Sequence, residues 1–153
     1  MGAVLAMEAA AAQPQLFAGL IMTDGFYPPS RSGRSFAATA ADYAGHRLLF
    51  AAGAVGRRRQ RGSRVEAPRL RSLMSMGFRP ATFHRLADQV SCPVLMVHGA
   101  RDHHVPPAFA VGAAVRHPAW KLRMIDAGHF PHRDAPGQWL AAVEGWLDEL
   151  RGV

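Results

Sequence analysis

A chain of 153 residues, 49% hydrophobic, 19% charged and 8% aromatic, is long enough for one domain with a sizeable core and too short for two. That composition excludes a disordered tail or a low-complexity polymer, and no apolar run reaches the roughly 18 residues of a membrane span. The net charge of +7, from 18 Lys+Arg against 11 Asp+Glu, gathers at Arg57, Arg58, Arg59, Arg61 and Arg64. A nucleic-acid face would spread more evenly and interleave aromatics, so the cluster reads as a solvated loop. No nucleic-acid or membrane partner is expected.

In chain order, residues 3–12 favour a helix: Ala, Leu, Met and Glu dominate until Pro14 stops it. The opening lacks a basic leader and carries Glu8, unlike a cleaved signal peptide. Leu16–Met22 (LFAGLIM) is a short apolar run ahead of the turn signal Thr23-Asp24-Gly25, which predicts a buried strand. A long excursion follows, over residues 26–90. It holds Tyr27-Pro28-Pro29-Ser30, the arginine cluster and three helix-like pieces, about Phe36–Phe50, Pro68–Met76 and Ala81–Gln89. It is too long for a crossover helix and is expected to be an inserted helical cap.

Pro93–Val97 then predicts a second strand, Pro107–Val115 a helix with prolines at its tolerant start, and Trp120–Ile125 a third strand. A closing helix over Gln138–Leu150 places Leu140, Val143, Trp146, Leu147 and Leu150 on one face. Strands alternating with helices imply parallel pairing. Cys92, the only cysteine, has no partner within the chain, which fits a reducing cytoplasm. At the start of the second strand it reads as an apolar filler.

Two segments could carry chemistry, each just past a strand. The first is His98-Gly99-Ala100-Arg101-Asp102-His103-His104-Val105-Pro106-Pro107, and the second is Asp126-Ala127-Gly128-His129-Phe130-Pro131-His132. Ligands of open parallel sheets bind outside the carboxyl ends of the strands. An acid and a histidine on adjacent strand ends can meet there, with the carboxylate fixing the imidazole tautomer. The 27 residues from Asp102 to His129 leave room for one helix and one strand. His98 reads as a structural strand-end residue, and His103 and His132 as loop-orienting ones. A rival reading is a metal site, with ligands drawn from Asp102, His103, His104, His129 and His132. Adjacent His103 and His104 tend to point apart, which weighs against it.

These segments resemble the acid and base loops of the α/β-hydrolase family, in its nucleophile–acid–base chain order. The resemblance extends over nearly the whole chain: LFAGLIMTDG, the cap, HGARDHHVPP, DAGHFPH and the terminal helix. It implies the C-terminal part of an α/β-hydrolase parallel sheet, about three strands with flanking helices. Residues 1–25 and 91–153 would form the partial core and residues 26–90 the cap. It further implies Asp102 as the triad acid and His129 as the general base, with a small-molecule substrate and neither cofactor nor metal.

Met1-Gly2-Ala3 aligns with the half of the family's nucleophile elbow that follows the serine. The nucleophile would then immediately precede Met1, and the Met1 amide would belong to the oxyanion hole. Ser75-Met76-Gly77 repeats the elbow's lettering, but no glycine stands two before the serine and the segment reads as cap helix. No nucleophile is therefore assigned within the chain. Alone, it is expected to be inactive and to need something that supplies the missing strands. A non-catalytic remnant or a strand-pairing partner of another polypeptide is the alternative.

Overall fold

The computed structural model describes residues 2–25, 27 and 80–152. Met1, the first two helix-like pieces of the expected cap, the arginine cluster and Ser75 lie outside the described residues. The elements in chain order are α1 (Gly2–Ala12), a 3-10 turn (Pro14–Leu16), β1 (Leu20–Thr23), α2 (Pro80–Ala87), β2 (Val94–Gly99), α3 (Pro107–Arg116), β3 (Lys121–Ile125), α4 (Pro131–Asp134) and α5 (Pro136–Arg151). The strands form a parallel sheet in the order β1-β2-β3, with Leu20 opposite Val94 and Leu95 opposite Lys121.

The central strand β2 is buried at all six positions, so its alternation sorts side chains between two apolar layers rather than between core and water. Val94 and Met96 join Val4 and Met7 of α1, Leu20 and Met22 of β1, Phe83 of α2 and Phe109 of α3 on one face. Leu95 and Val97 join Ile125, Val143 and Trp146 on the other, under α5. Each large side chain removed from water in this way contributes about 1.5–3 kcal/mol. The outcome is helices on both sides of a parallel sheet, with every strand ending on the same side of the molecule.

The first strand begins four residues later than the apolar run suggests. Pro14 opens a 3-10 turn, closed by the Leu16 amide on the Gln13 carbonyl at 3.0 Å and the Phe17 amide on the Pro14 carbonyl at 3.1 Å. The ladder starts only where the Leu20 amide reaches the Pro93 carbonyl, at 2.9 Å. Conversely, β2 runs on through His98 and Gly99, because β3 offers Met124 and Ile125 as partners. On α5 the inward face is Trp139, Ala142, Val143, Trp146, Leu147 and Leu150, and Leu140 is 48% exposed. The helix is rotated toward its tryptophans; Trp139 Nε1 donates to Thr23 Oγ1 at 3.1 Å. Cys92 is half-buried against the first apolar layer.

Among the described residues, β1 pairs only with β2, which leaves its outer edge open with Ile21 partly exposed. No helix among them is long and apolar enough to cross a membrane.

Candidate functional site

All three strands end beside one another, and each carries a titratable group just past its end: Asp24 after β1, Asp102 after β2 and His129 after β3. The turn leaving β2 is tied to the exit of β3. The Ala100 amide donates to the Ile125 carbonyl at 2.7 Å and the Arg101 amide to the Ala127 carbonyl at 2.9 Å. Gly99 is needed here, because a Cβ would meet the Gly128 carbonyl oxygen and would lie 2.6 Å from that of Ala127. Absence of a side chain lets the two exit loops close on each other.

Asp102 is thereby set beneath its own loop. Its Oδ1 accepts the amides of His104, at 2.7 Å, and Val105, at 2.9 Å. Its Oδ2 accepts Nδ1–H of His129 at 2.8 Å. The Asp102 side chain is fully buried, whereas that of His129 is 25% exposed. Burial alone would raise the Asp102 carboxyl, but the hydrogen bonds from His129, Val105 and His104 together outweigh it and hold it below the usual carboxylate value. A carboxylate only accepts, so the proton of the neutral ring sits on Nδ1 and Nε2 keeps its lone pair. A histidine so arranged can take a proton at Nε2, and the neighbouring anion stabilises the imidazolium that results.

Behind this pair lies a second layer, built on His98, read from the sequence as a structural strand-end residue, and on Asp24, read only as part of a turn. His98, fully buried at the end of β2, donates Nε2–H to the Val105 carbonyl at 2.9 Å. Its Nδ1 lies 3.6 Å from Oδ1 of Asp24, and its Nε2 lies 3.6 Å from Oδ2 of Asp102. Asp24 accepts the Gly99 amide at 2.9 Å. Its backbone is in the left-handed region, at φ 45°, which Asp tolerates better than most residues. Oδ2 of Asp24 and Nδ1 of His98 are buried without a hydrogen-bond partner. The available signal was positional: Asp24, like Asp102, closely follows an apolar strand, yet Thr23-Asp24-Gly25 reads equally well as a plain turn.

Burial raises the Asp24 carboxyl above its ordinary value, against the Gly99 hydrogen bond and the nearby His98. A group whose folded value is raised contributes its full stability below its unfolded value, near 3.8, and loses it as pH rises through the folded value. Asp24→Asn keeps an acceptor for Gly99 and removes the buried charge. It is expected to stabilise the fold at neutral pH, with an advantage that shrinks toward pH 4. Thermal melts across that range check the sign.

The remaining histidines of the two exit loops divide. His103 and His132 are exposed, and neither belongs to the groups of potential ligands that converge among the described residues. His104 differs: its ring is 5.0 Å from that of His129, centre to centre. Cys92 precedes β2, at the opposite end of the sheet from Asp102.

No protein-family model and no curated protein matches the chain. Solved structures do. A thermophilic esterase from Thermogutta terrifontis is 21% identical, with a TM-score of 0.57 over 97% of this chain and 62% of its own. An N-formylmaleamic acid deformylase from Pseudomonas putida is 17% identical, with a TM-score of 0.56 over 93% of this chain and 62% of its own. An α/β-hydrolase enzyme from a Medee basin deep-sea metagenome library is 15% identical, with a TM-score of 0.52 over 96% of this chain and 62% of its own. The chain thus spans about 62% of the length of these structures. Identities this low speak for the fold alone, and at that level they agree with the parallel sheet and its flanking helices: the chain has the α/β-hydrolase fold, in its C-terminal part.

Proposed function

We propose that this chain is the acid-and-base portion of a hydrolase acting on an ester-like small molecule in the cytoplasm. His129 serves as general base and Asp102 as the group that orients it. The observation that carries the reading is the 2.8 Å hydrogen bond from His129 Nδ1 to Asp102 Oδ2, set at the carboxyl ends of β2 and β3. The nucleophile, a serine in this reading, immediately precedes Met1 in the complete protein, and the cap expected over residues 26–90 lies largely outside the described residues. Nε2 of His129 takes the serine proton as the oxygen attacks the carbonyl. It then returns that proton to the leaving group, while the Met1 amide helps to hold the oxyanion. The solved structures it resembles, an esterase and a deformylase among them, support acyl chemistry; fold does not choose among substrates.

The test has two stages. A native mass well above 16.6 kDa supports a preceding nucleophile segment. In that complete chain His129→Gln is expected to lower kcat on a nitrophenyl ester by about four orders of magnitude, with KM little changed. The 153-residue chain by itself should resist labelling by a fluorophosphonate. Labelling of the short chain that disappears in Ser75→Ala would overturn the assignment of the nucleophile. A native mass of 16.6 kDa would favour the second reading, a non-catalytic partner whose open β1 edge pairs with another polypeptide.

A further inference from the structure

We infer that Asp102, His104 and His129 form a binding site for a divalent transition-metal ion of the zinc class, one that competes with the hydrogen bond between Asp102 and His129. Nothing in this inference requires His129 to be catalytic; it requires only the geometry of three side chains. Their ligand atoms all lie within 4.8 Å of one another. His129 Nδ1 stands 2.8 Å from Asp102 Oδ2, and His104 Nδ1 stands 4.0 Å from Asp102 Oδ1. Ligands about 2.0–2.1 Å from a tetrahedral ion are roughly 3.3 Å apart, which falls between the 2.8 Å from His129 Nδ1 to Asp102 Oδ2 and the 4.8 Å within which all three ligand atoms lie.

The three groups are prepared for it in different ways. Asp102 is immobile, because its Oδ1 is engaged by the amides of His104 and Val105, and Oδ2 is the oxygen left to serve as ligand. That engagement is the outer-shell support that ligating carboxylates have in metal sites. It also pins the backbone of His104 two residues beyond the acid. The His104 ring is 74% exposed, so it can turn onto an ion at little desolvation cost. It already lies 31° from parallel to the His129 ring. Two imidazoles and one carboxylate form a donor set suited to zinc and leave a fourth position for water. The neighbouring guanidiniums are occupied elsewhere, Arg101 by Asp126 and Arg133 by Asp134.

Binding has a definite proton balance. The ion takes the lone pair of Nδ1, so the ring gives up the proton there and acquires one from solvent at Nε2, with no net change for the neutral imidazole. The lone pair that a general base would use is then gone.

The experiment titrates Co²⁺ and Zn²⁺ into the 153-residue chain, or into a longer native form if that is what cells hold. One Co²⁺ per chain with a tetrahedral visible band, displaced by Zn²⁺, is the expected result. His104→Ala should weaken binding at least tenfold, and His104→Cys should restore it with a new thiolate-to-cobalt band in the near ultraviolet. His132→Ala, an exposed histidine outside the set, should bind as the parent does. Binding that survives His104→Ala, binding lost with His132→Ala, or no binding at ~100 μM ion would each overturn the site.

Discussion

Gly99→Ala is expected to separate Asp102 from His129 while leaving both residues intact. The added methyl has to displace the carbonyls of Ala127 and Gly128, which are backbone atoms of the neighbouring exit loop. The Ala127 carbonyl cannot rotate aside, since it is held by the Arg101 amide at 2.9 Å. Overpacking of this kind costs about 3 kcal/mol or more where backbone must move. The His129 Nδ1–H proton, sharply downfield in NMR while it is bonded to Asp102, should broaden or vanish. The melting temperature should fall along with it. Gly112→Ala provides the contrast: that glycine lies within α3, and among the described residues nothing beyond its own helix backbone and chain neighbours comes within 4 Å of the added Cβ, so alanine there should gain about 0.5–1 kcal/mol from helix propensity. If both variants behave alike, close packing of the two exit loops is not what holds the pair.

Trp146→Ala is expected to bring the largest loss of stability, about 3–5 kcal/mol. The indole is 3% exposed and joins Leu95, Val97, Ile125 and Val143 between α5 and the sheet. It also fixes how closely β1 can approach, because a Cβ on Gly19 would lie 2.7 Å from its Cη2. A domain holds only about 5–15 kcal/mol in reserve, so urea titration should show the midpoint fall by about a fifth or more. Leu140→Ala on the same helix should change it by less than about 0.5 kcal/mol, since Leu140 faces water. Equal effects at the two positions would mean that α5 is turned differently on the sheet.

Those two helix positions also mark what could be read from the sequence. Leu140, Val143, Trp146, Leu147 and Leu150 all fit one helical face, and a stripe has two flanks that periodicity cannot tell apart. The choice was made by Trp139, whose indole N–H finds Thr23 on β1, a partner remote in sequence. The strand β1 was legible as an apolar run, but its start was not, because Pro14 diverts three residues into a turn before the ladder begins. Asp102 and His129 stood out because each follows a strand within a glycine-containing loop. Asp24 did not, and His98 did so only as a structural strand-end residue, since their contacts depend on burial and on packing across the sheet. His98 looks like any strand residue until its Nε2 is seen on the Val105 carbonyl. Local pattern revealed what sits at strand ends; only packing revealed what lies beneath them.

The lacing between the exit loops of β2 and β3 has a consequence for motion. The amides of Ala100 and Arg101 bond to carbonyls at the end of β3, and those of His104 and Val105 bond to Asp102 itself. Asp102 and His129 thus share one hydrogen-bonded web with the central ladder, built from a single contiguous stretch of chain. Exchange of those amides with solvent needs an opening of the β2–β3 unit rather than a flicker of a surface loop. The pairing of acid and base therefore lasts as long as the centre of the sheet, and segments elsewhere in the chain can change without loosening it.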